Sequence, residues 1–264
     1  MPKTKYPILI SIPHGSTFVP ADLRRIMNLS DFEIKKQSDP YTDEIFDVPN
    51  AHVIKGRISR LVVDLNRAPD DIEMEHQLSN QGVVVSVDMD GKQIYKTPPS
   101  SEMINERVNK YREAFHQAIE ELKPKAKFFI DGHSMRSVTP ITKPDAGAKR
   151  PDICLGNRHF TTCSHAITRK ILKFFQDKGF SVKVNDPFTG RYIIGYHCSR
   201  KGLPGIQIEI NEKLFMNTKT YIPNKKKVQQ LKNMMAELVE MINDEIEKSK
   251  DMPKSLSMSQ GSLF

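Results

Sequence analysis

Short apolar runs of strand length recur along the chain, and segments with helical spacing lie between several of them. The runs cover residues 7–12, 52–54, 60–65, 128–130, 182–184 and 205–210. Strands separated by helices need crossover connections, which place them parallel in one sheet with helices against both faces. The pattern therefore predicts an α/β fold with three layers, in which helices cover a mostly parallel central sheet.

Helical spacing is clearest over residues 101–122, 163–178 and 226–248, where apolar residues recur every three or four positions. A chain of 264 residues with 38% hydrophobic content is long enough to bury one large core. We expect a single domain over residues 1–250 and a weakly ordered tail over residues 251–264.

A net charge of +8 raises the question of nucleic-acid binding, because basic surfaces attract polyanions. The lysines are dispersed, however, and the densest run, at residues 224–227, opens a helical segment rich in acids. No apolar stretch reaches the ~20 residues of a membrane span, and the first residues lack a signal-peptide pattern. We therefore expect a cytoplasmic protein that binds neither nucleic acid nor membrane.

Two histidines follow apolar runs directly and are flanked by glycine and small polar residues. His14 follows ILISIP, and His133 follows FFIDG. Open α/β sheets bind ligands at the carboxyl ends of their strands, where the sheet holds side chains rigidly. One such histidine is usually structural, but two of them suggest a shared metal ion.

A zinc hydrolase needs three protein ligands, an open coordination position and a carboxylate that accepts a proton from water. The acidic segment at residues 38–46 offers the third ligand, although Asp43, at the start of a predicted helix, could equally be a helix-terminal charge. Glu209 lies inside the apolar run GIQIEIN. Its alternation with isoleucines is equally consistent with a site residue and with a solvent-facing strand position.

Arginines near strand ends suit the recognition of acidic substrates, because a guanidinium binds a carboxylate through two parallel hydrogen bonds. The segment beginning at Arg60 ends in Asn66 and Arg67, and Arg136 follows His133 closely. Each arginine could instead pair with a neighbouring aspartate for structural reasons. The sequence contains no GxGxxG, GxxxxGK[ST], GxSxG or HExxH motif, so dinucleotide, P-loop, serine-elbow and helical zinc-protease interpretations have no support.

A series of motifs in a fixed order resembles the N-formylglutamate amidohydrolase family over about residues 7–217. They are IPHGS, DPYTDEIF, SRLVVDLNRAPDD, DGHSMRS, RPDICLGN, NDPFTGRYIIGYH and QIEINEKLFMN. The resemblance implies a metal-dependent hydrolase of a carbon-nitrogen amide bond, with a fold similar to zinc exopeptidases. It also implies a small anionic substrate, an N-acylated acidic amino acid such as N-formylglutamate.

The same resemblance implies one Zn²⁺ ion per chain, held by His14, His133 and an acid from residues 39–43. We expect Asp43, since the corresponding ligand of related amidases begins a helix, and Asp39 is the alternative. Metal-bound water would be the nucleophile, with Glu209 as general base and later as general acid.

For the substrate, the resemblance points to Asn66 and Arg67 as the pair that holds a carboxylate. Arg60 and Arg136 lie in matching motifs and are further candidates. His197 also falls in a family motif and is expected to contact the developing oxyanion or the substrate.

The first histidine motif lacks the acid that relatives often carry shortly after it, and the loop over residues 139–150 is basic. These departures leave the acyl group and amino acid open, and the sequence does not fix the oligomeric state. One alternative is a peptide or peptidoglycan amidase with the same metal site. The other is a basic protein that binds nucleic acid or an anionic polymer and whose metal site is not catalytic.

Overall fold

Six strands form one sheet in the computed structural model, which describes residues 6–78, 81–141 and 145–251. The strands are β1 (Ile8–Ile12), β2 (His52–Lys55), β3 (Phe128–Met135), β4 (Ile153–Gly156), β5 (Val182–Val184) and β6 (Gly205–Asn211). Their order across the sheet is β2-β1-β3-β6-β4-β5. β2, β1, β3 and β6 are parallel, whereas β4 runs antiparallel to β6 and parallel to β5. The predicted α/β fold with a mostly parallel sheet is confirmed.

Helices connect these strands. They are α1 (Ala21–Ile26), α2 (Asp31–Gln37), α3 (Thr42–Ile45), α4 (Met74–Leu78), α5 (Ser101–Arg107), α6 (Glu113–Leu122), α7 (His165–Asp177), α8 (Tyr192–His197) and α9 (Lys225–Asp251). A π-helical turn, Val108–Arg112, joins α5 to α6, so the helix predicted over residues 101–122 is confirmed as one interrupted helix. No helix in the described ranges is both long enough and apolar enough to cross a membrane.

Two sequence predictions have other outcomes. The strand predicted over residues 60–65 is wrong, because this segment forms turns and buries its apolar side chains against the sheet instead of pairing with it. Nearly all of the predicted tail, residues 252–264, lies outside the described residues.

Alternation along the strands divides the core into two clusters on opposite faces of the sheet. Isoleucines of β1 and β6 pack with α3, α7 and α9 on one face. Leu9 and Phe129 pack with the α5–α6 helix and α8 on the other. Every residue of β1, β3, β4 and β6 is buried, so both faces of the central strands are covered.

Polar residues replace apolar ones toward the carboxyl ends of the central strands, on the face that carries Leu9 and Phe129. Ser11 pairs with Asp131 in register, Asp131 pairs with Gln207, and His133 pairs with Glu209. Residues opposite one another on neighbouring strands point to the same face. The register therefore gathers these side chains at one edge of the sheet.

Gly132 separates Asp131 from His133 and faces the opposite core. A Cβ atom at this position would lie 2.6 Å from Cγ of Phe46, whose ring is 1% exposed. The glycine thus allows α3 and the residue after it to approach β3 closely.

We expect Gly132→Ala to lower the free energy of unfolding by about 1–3 kcal/mol, because the added methyl group overpacks this contact. Urea denaturation measures the change. In the double variant Gly132→Ala/Phe46→Leu, the loss should be smaller than the sum of the two single losses, since the smaller side chain makes room. Strict additivity would contradict the close approach of the ring to β3.

Candidate active site

Two histidines and one aspartate meet at the polar edge of the sheet. His14 lies just beyond β1, His133 lies in β3, and Asp39 lies in the turn between α2 and α3. Asp39 Oδ2 is 3.6 Å from His14 Nδ1 and 3.1 Å from His133 Nδ1. All three side chains are buried, and one potential ligand atom from each lies within 4.8 Å of the others. This group could hold a metal ion.

The acidic residue of this group is Asp39, whereas we expected Asp43. Asp39 is placed by its backbone N–H, which donates to the carbonyl of His14 at 2.9 Å. Asp43 lies in the first turn of α3, where an acidic side chain favours the helix dipole, and it lines a different pocket beside Gly15. The structure therefore brings Asp39, not Asp43, to the two histidines.

Each histidine is oriented by a buried aspartate of its own. His14 Nε2–H donates to Asp64 Oδ1 at 2.7 Å, and His133 Nε2–H donates to Asp131 Oδ2 at 2.9 Å. Both Nδ1 atoms are left to face Asp39, and His14 Nδ1 is buried without a hydrogen-bond partner in the described part of the chain. Metal-ligating histidines commonly donate their other N–H to a carboxylate in this way. The donor set fits a divalent ion.

The acids around the histidines favour positive charge at this point. Burial by itself would lower the pKa of His133, but Asp131 and Asp39 raise it well above its ordinary value. Burial would likewise raise the pKa of Asp39, yet His133 and His14 hold it below the ordinary range. A bound metal ion would supply the positive charge in place of a protonated histidine.

Further hydrogen bonds hold the two orienting aspartates. Ser11 Oγ donates to Asp131 Oδ1 at 2.5 Å, and Arg60 Nη2 donates to Asp64 Oδ2 at 2.7 Å. The guanidinium of Arg60 thus stabilises a buried carboxylate, which is the structural alternative that the sequence left open. Asn66 accepts from the N–H of Ile193 and places its Nδ2 atom 3.2 Å from His133 Nε2. Asn66 therefore lies beside His133 at the edge of the cleft.

Glu209 lies in the same cleft, in register with His133 on the neighbouring strand. All of β6 is buried, so the solvent-facing interpretation of Glu209 is wrong. Gln207 Nε2 donates to Glu209 Oε1 at 2.8 Å and orients the carboxyl group. Burial raises the pKa of Glu209 to about 7, with His133 lowering it and Asp39 raising it. A carboxyl group of this pKa can accept and return a proton near neutral pH.

Five arginines line the cleft, namely Arg60, Arg67, Arg136, Arg150 and Arg191. Burial lowers the pKa of Arg67 to about 10; Asp64 opposes this shift, and the like charge of Arg191 adds to it. Arg67 donates to the backbone carbonyls of Gln81 and Asn66. Two neighbouring guanidinium groups that form no ion pair with an acid of the described chain favour an anion between them.

Arg136 forms an ion pair with Asp90 at 2.8 Å while it lines the cleft.

Our sequence reasoning missed Arg150 and Arg191, although both lie in motifs that carry the family resemblance. The aspartates near the arginines that it identified, which include Asp64 and Asp131, were considered only as possible arginine partners. The spacing Asp-Gly-His in β3 could have revealed the role of Asp131, because residues two apart in a strand share a face.

His197 is not among the residues that line this cleft, and its expected contact with the oxyanion or the substrate stays a prediction. Its Nδ1 atom is 2.8 Å from Glu120 Oε1, and its Nε2 atom is 2.7 Å from His116 Nδ1. His116 Nε2 in turn lies 2.9 Å from the carbonyl oxygen of Leu65. His197 therefore belongs to a buried hydrogen-bonded chain between α6, α8 and the segment that leads to Asn66.

Comparison with known proteins agrees with the motifs. The family model for N-formylglutamate amidohydrolase matches residues 6–216. N-formylglutamate deformylase of Pseudomonas aeruginosa is 26% identical over 230 residues, which cover 81% of this chain and 83% of that protein. The enzyme of the same name from Pseudomonas putida is 23% identical over 225 residues, or 80% of this chain and 82% of the relative. The chain belongs to the N-formylglutamate amidohydrolase family.

Solved structures share the fold. The crystal structure of N-formylglutamate amidohydrolase from Ralstonia eutropha JMP134 superposes with a TM-score of 0.81 at 23% identity, covering 92% of this chain and 95% of that one. A gene product from Agrobacterium tumefaciens gives a TM-score of 0.70 at 18% identity, with 92% and 93% covered. The expected likeness to zinc exopeptidases stays a prediction.

The position of the acidic ligand can be tested with a matched pair of variants. Asp39→Asn should weaken binding of a divalent metal at least about 100-fold, because loss of a ligand costs more than loss of a group that only orients one. Asp43→Asn should leave the affinity unchanged. Competition with a chromophoric chelator, followed by elemental analysis, measures both. Loss of metal from the Asp43 variant alone would overturn this assignment.

The buried histidine chain predicts a pH dependence of stability. Burial, with the charges of Arg112 and His197, lowers the pKa of His116 to about 3, whereas an unfolded histidine titrates near ~6.5. Between the two pKa values, the unfolded chain binds a proton at this histidine that the native protein does not. The free energy of unfolding therefore falls by up to about 1.4 kcal/mol for each pH unit by which the pH is lowered.

Urea denaturation at several pH values between about 4.5 and 7.5 measures this slope. The slope should become shallower in His116→Gln and stay unchanged in His159→Asn, which alters an exposed histidine. Equal slopes in wild type and His116→Gln would contradict the buried neutral state of His116.

Proposed function

We propose that this chain is a zinc-dependent amidohydrolase that cleaves the carbon-nitrogen amide bond of a small N-acylated acidic amino acid. N-formylglutamate, the compound in the names of its relatives, is the first substrate to test. The observation that supports this most directly is the His14, Asp39 and His133 group beside Glu209 in one arginine-lined cleft.

Two imidazole nitrogens and one carboxylate oxygen form a donor set typical of catalytic zinc sites, which keep a further position open. We infer one ion per chain, held by His14 Nδ1, His133 Nδ1 and Asp39. When bound, such an ion supplies Lewis acidity, which lowers the pKa of water and polarises a carbonyl group.

Glu209 is the proton carrier in this proposal. Its carboxyl group is oriented by Gln207, has a pKa of about 7 and lies on the strand next to His133. It accepts a proton from the attacking water and later gives a proton to the leaving nitrogen. His197 and Asp43 take no part in these steps.

Arg67 and Arg191 are the groups that we propose for the carboxylate of the substrate. Their guanidinium groups lie close enough for each charge to affect the other, without an acid of the described chain bonded to either of them. A carboxylate between them would relieve that repulsion through paired hydrogen bonds. We propose a small molecule as the ligand, because the cleft has a volume of only about 100 Å³.

Glu209→Gln tests the proton carrier. The variant should lower kcat for N-formylglutamate by about 10²–10⁴ while keeping its metal, because the amide preserves shape but accepts no proton. Release of free amino groups measures turnover, and elemental analysis measures the ion. The matched variant Glu121→Gln, on the exposed side of α6, should keep full activity. Near-normal turnover by metal-loaded Glu209→Gln would show that another group moves the proton.

A further inference from the structure

Arg150 is a cation of the cleft to which the proposed chemistry gives no role. It lies shortly before β4, and its backbone is held from two sides. Its N–H donates to the carbonyl of Ser137 at 3.0 Å, and its own carbonyl accepts from Asn211 Nδ2 at 3.4 Å. Cζ of the guanidinium lies over the ring of Phe188, 4.9 Å from the ring centre. These contacts restrict both the position and the plane of the charged group.

The hydrogen bonds of Arg150 leave part of its guanidinium unused. Its buried Nε–H has no partner in the part of the chain that the structure describes. Nη1 donates to the carbonyl of Arg136 at 3.4 Å, which is long for such a bond. Arg136 also has an unpartnered Nε–H, but its charge is paired with Asp90. Buried polar groups in native proteins are nearly always hydrogen-bonded, so the unpaired donor of Arg150 points to a ligand.

The charge of Arg150 also lacks a bonded counter-charge. No ion pair joins it to an acid of the described residues, although Glu209, Asp145 and Glu212 are near enough to influence its pKa. Burial raises the pKa of Glu212 to about 8, so this carboxyl group is mostly uncharged at neutral pH. Asp145 is exposed, and Glu209 has the proton-carrying role. A desolvated cation without a bonded anion is unfavourable, and a carboxylate bound to Arg150 would remove this cost.

The cleft therefore contains two separate cationic groups. The charges that act on Arg67 include that of Arg191, whereas those that act on Arg150 include that of Arg136. Electrostatic interactions weaken with distance, so Arg67 with Arg191 and Arg150 with Arg136 lie in different parts of the cleft. An N-acylated acidic amino acid likewise carries two separate carboxylates, one on the α-carbon and one at the end of its side chain.

We propose that Arg150 is a specificity-determining residue that binds the side-chain carboxylate of the substrate, while Arg67 and Arg191 bind its α-carboxylate. This inference rests on the proposed amidohydrolase function and extends it, because it names the residue that selects an acidic side chain over an uncharged one. N-formylglutamate and N-formylglutamine are suitable probes, since they have nearly the same shape and differ only in the terminal group of the side chain.

The wild-type protein, loaded with zinc, gives the first test. Its kcat/KM should be at least about tenfold higher for N-formylglutamate than for N-formylglutamine, because the amide leaves the charge of Arg150 without an anion. Equal values, or a preference for N-formylglutamine, would overturn the inference about Arg150 and leave the proposed function intact. Failure to hydrolyse either compound would count against the proposed function, and binding of glutarate then tests Arg150 separately.

Substitution of Arg150 assigns the preference to this residue. Arg150→Gln should lower the ratio of the two kcat/KM values at least about tenfold, with the loss confined to N-formylglutamate. Arg150→Lys should restore part of the ratio, because the charge returns without the planar fork. Lys149→Gln removes the same charge from an exposed neighbour and should keep the wild-type ratio. An unchanged ratio in Arg150→Gln with normal metal content and thermal unfolding, or an equal loss for both substrates, would refute the role.

Binding of a dicarboxylate gives a measurement that does not depend on turnover. Glutarate and butyrate share a hydrocarbon chain but carry two carboxylates and one. Calorimetric titration of the zinc-loaded wild type should show glutarate bound at least about tenfold more tightly than butyrate, and Arg150→Gln should lose most of this difference. Equal affinities in the wild type, or no detectable binding of glutarate, would refute the role of Arg150 even if its variants do not fold.

Discussion

The paired hydrogen bonds between histidines and buried aspartates are the interactions on which the rest of the site depends. Asp64 and Asp131 each bind an Nε2–H, so both imidazoles present Nδ1 toward Asp39. A buried carboxylate is costly unless it is fully hydrogen-bonded. Arg60 donates to Asp64 and Ser11 donates to Asp131, and these hydrogen bonds help to compensate for the burial of the two carboxylates. The direction of the ligand atoms therefore follows from the bonds behind the histidines.

The register of the strands determines which polar side chains lie next to one another in the site. β3 lies between β1 and β6, and its pairing puts Asp131 beside Ser11 and His133 beside Glu209. A slip of one residue would move all these side chains to the opposite core. The isoleucines that alternate with them fix the register, since they fill that core. Packing of the apolar face thus determines the geometry of the polar face.

Much of this arrangement could be predicted from the sequence. The strand-end histidines, the α/β class and Glu209 follow from local patterns: apolar runs, their polar ends and a lone acid within a strand. The choice between Asp39 and Asp43 could not, because it depends on how the turn before α3 folds back to the carbonyl of His14. The segment over residues 60–65 was apolar enough for a strand, yet it is buried as turns. The position of His197 could not be predicted either, because it depends on how α8 packs against α6.

The reversed direction of β4 has a consequence for how such a site can diverge. Because β4 runs antiparallel to β6, the chain that leaves β3 returns to the same edge, and residues 138 and 149 pair across the loop between them. Arg136 and Arg150 stand at the two ends of that loop. Substitutions, insertions or deletions within this one segment can thus reshape a single wall of the cleft, while the strands next to the candidate metal site stay in register. Changes in this loop can therefore alter which ligand the cleft accepts without altering the residues at the ends of the central strands.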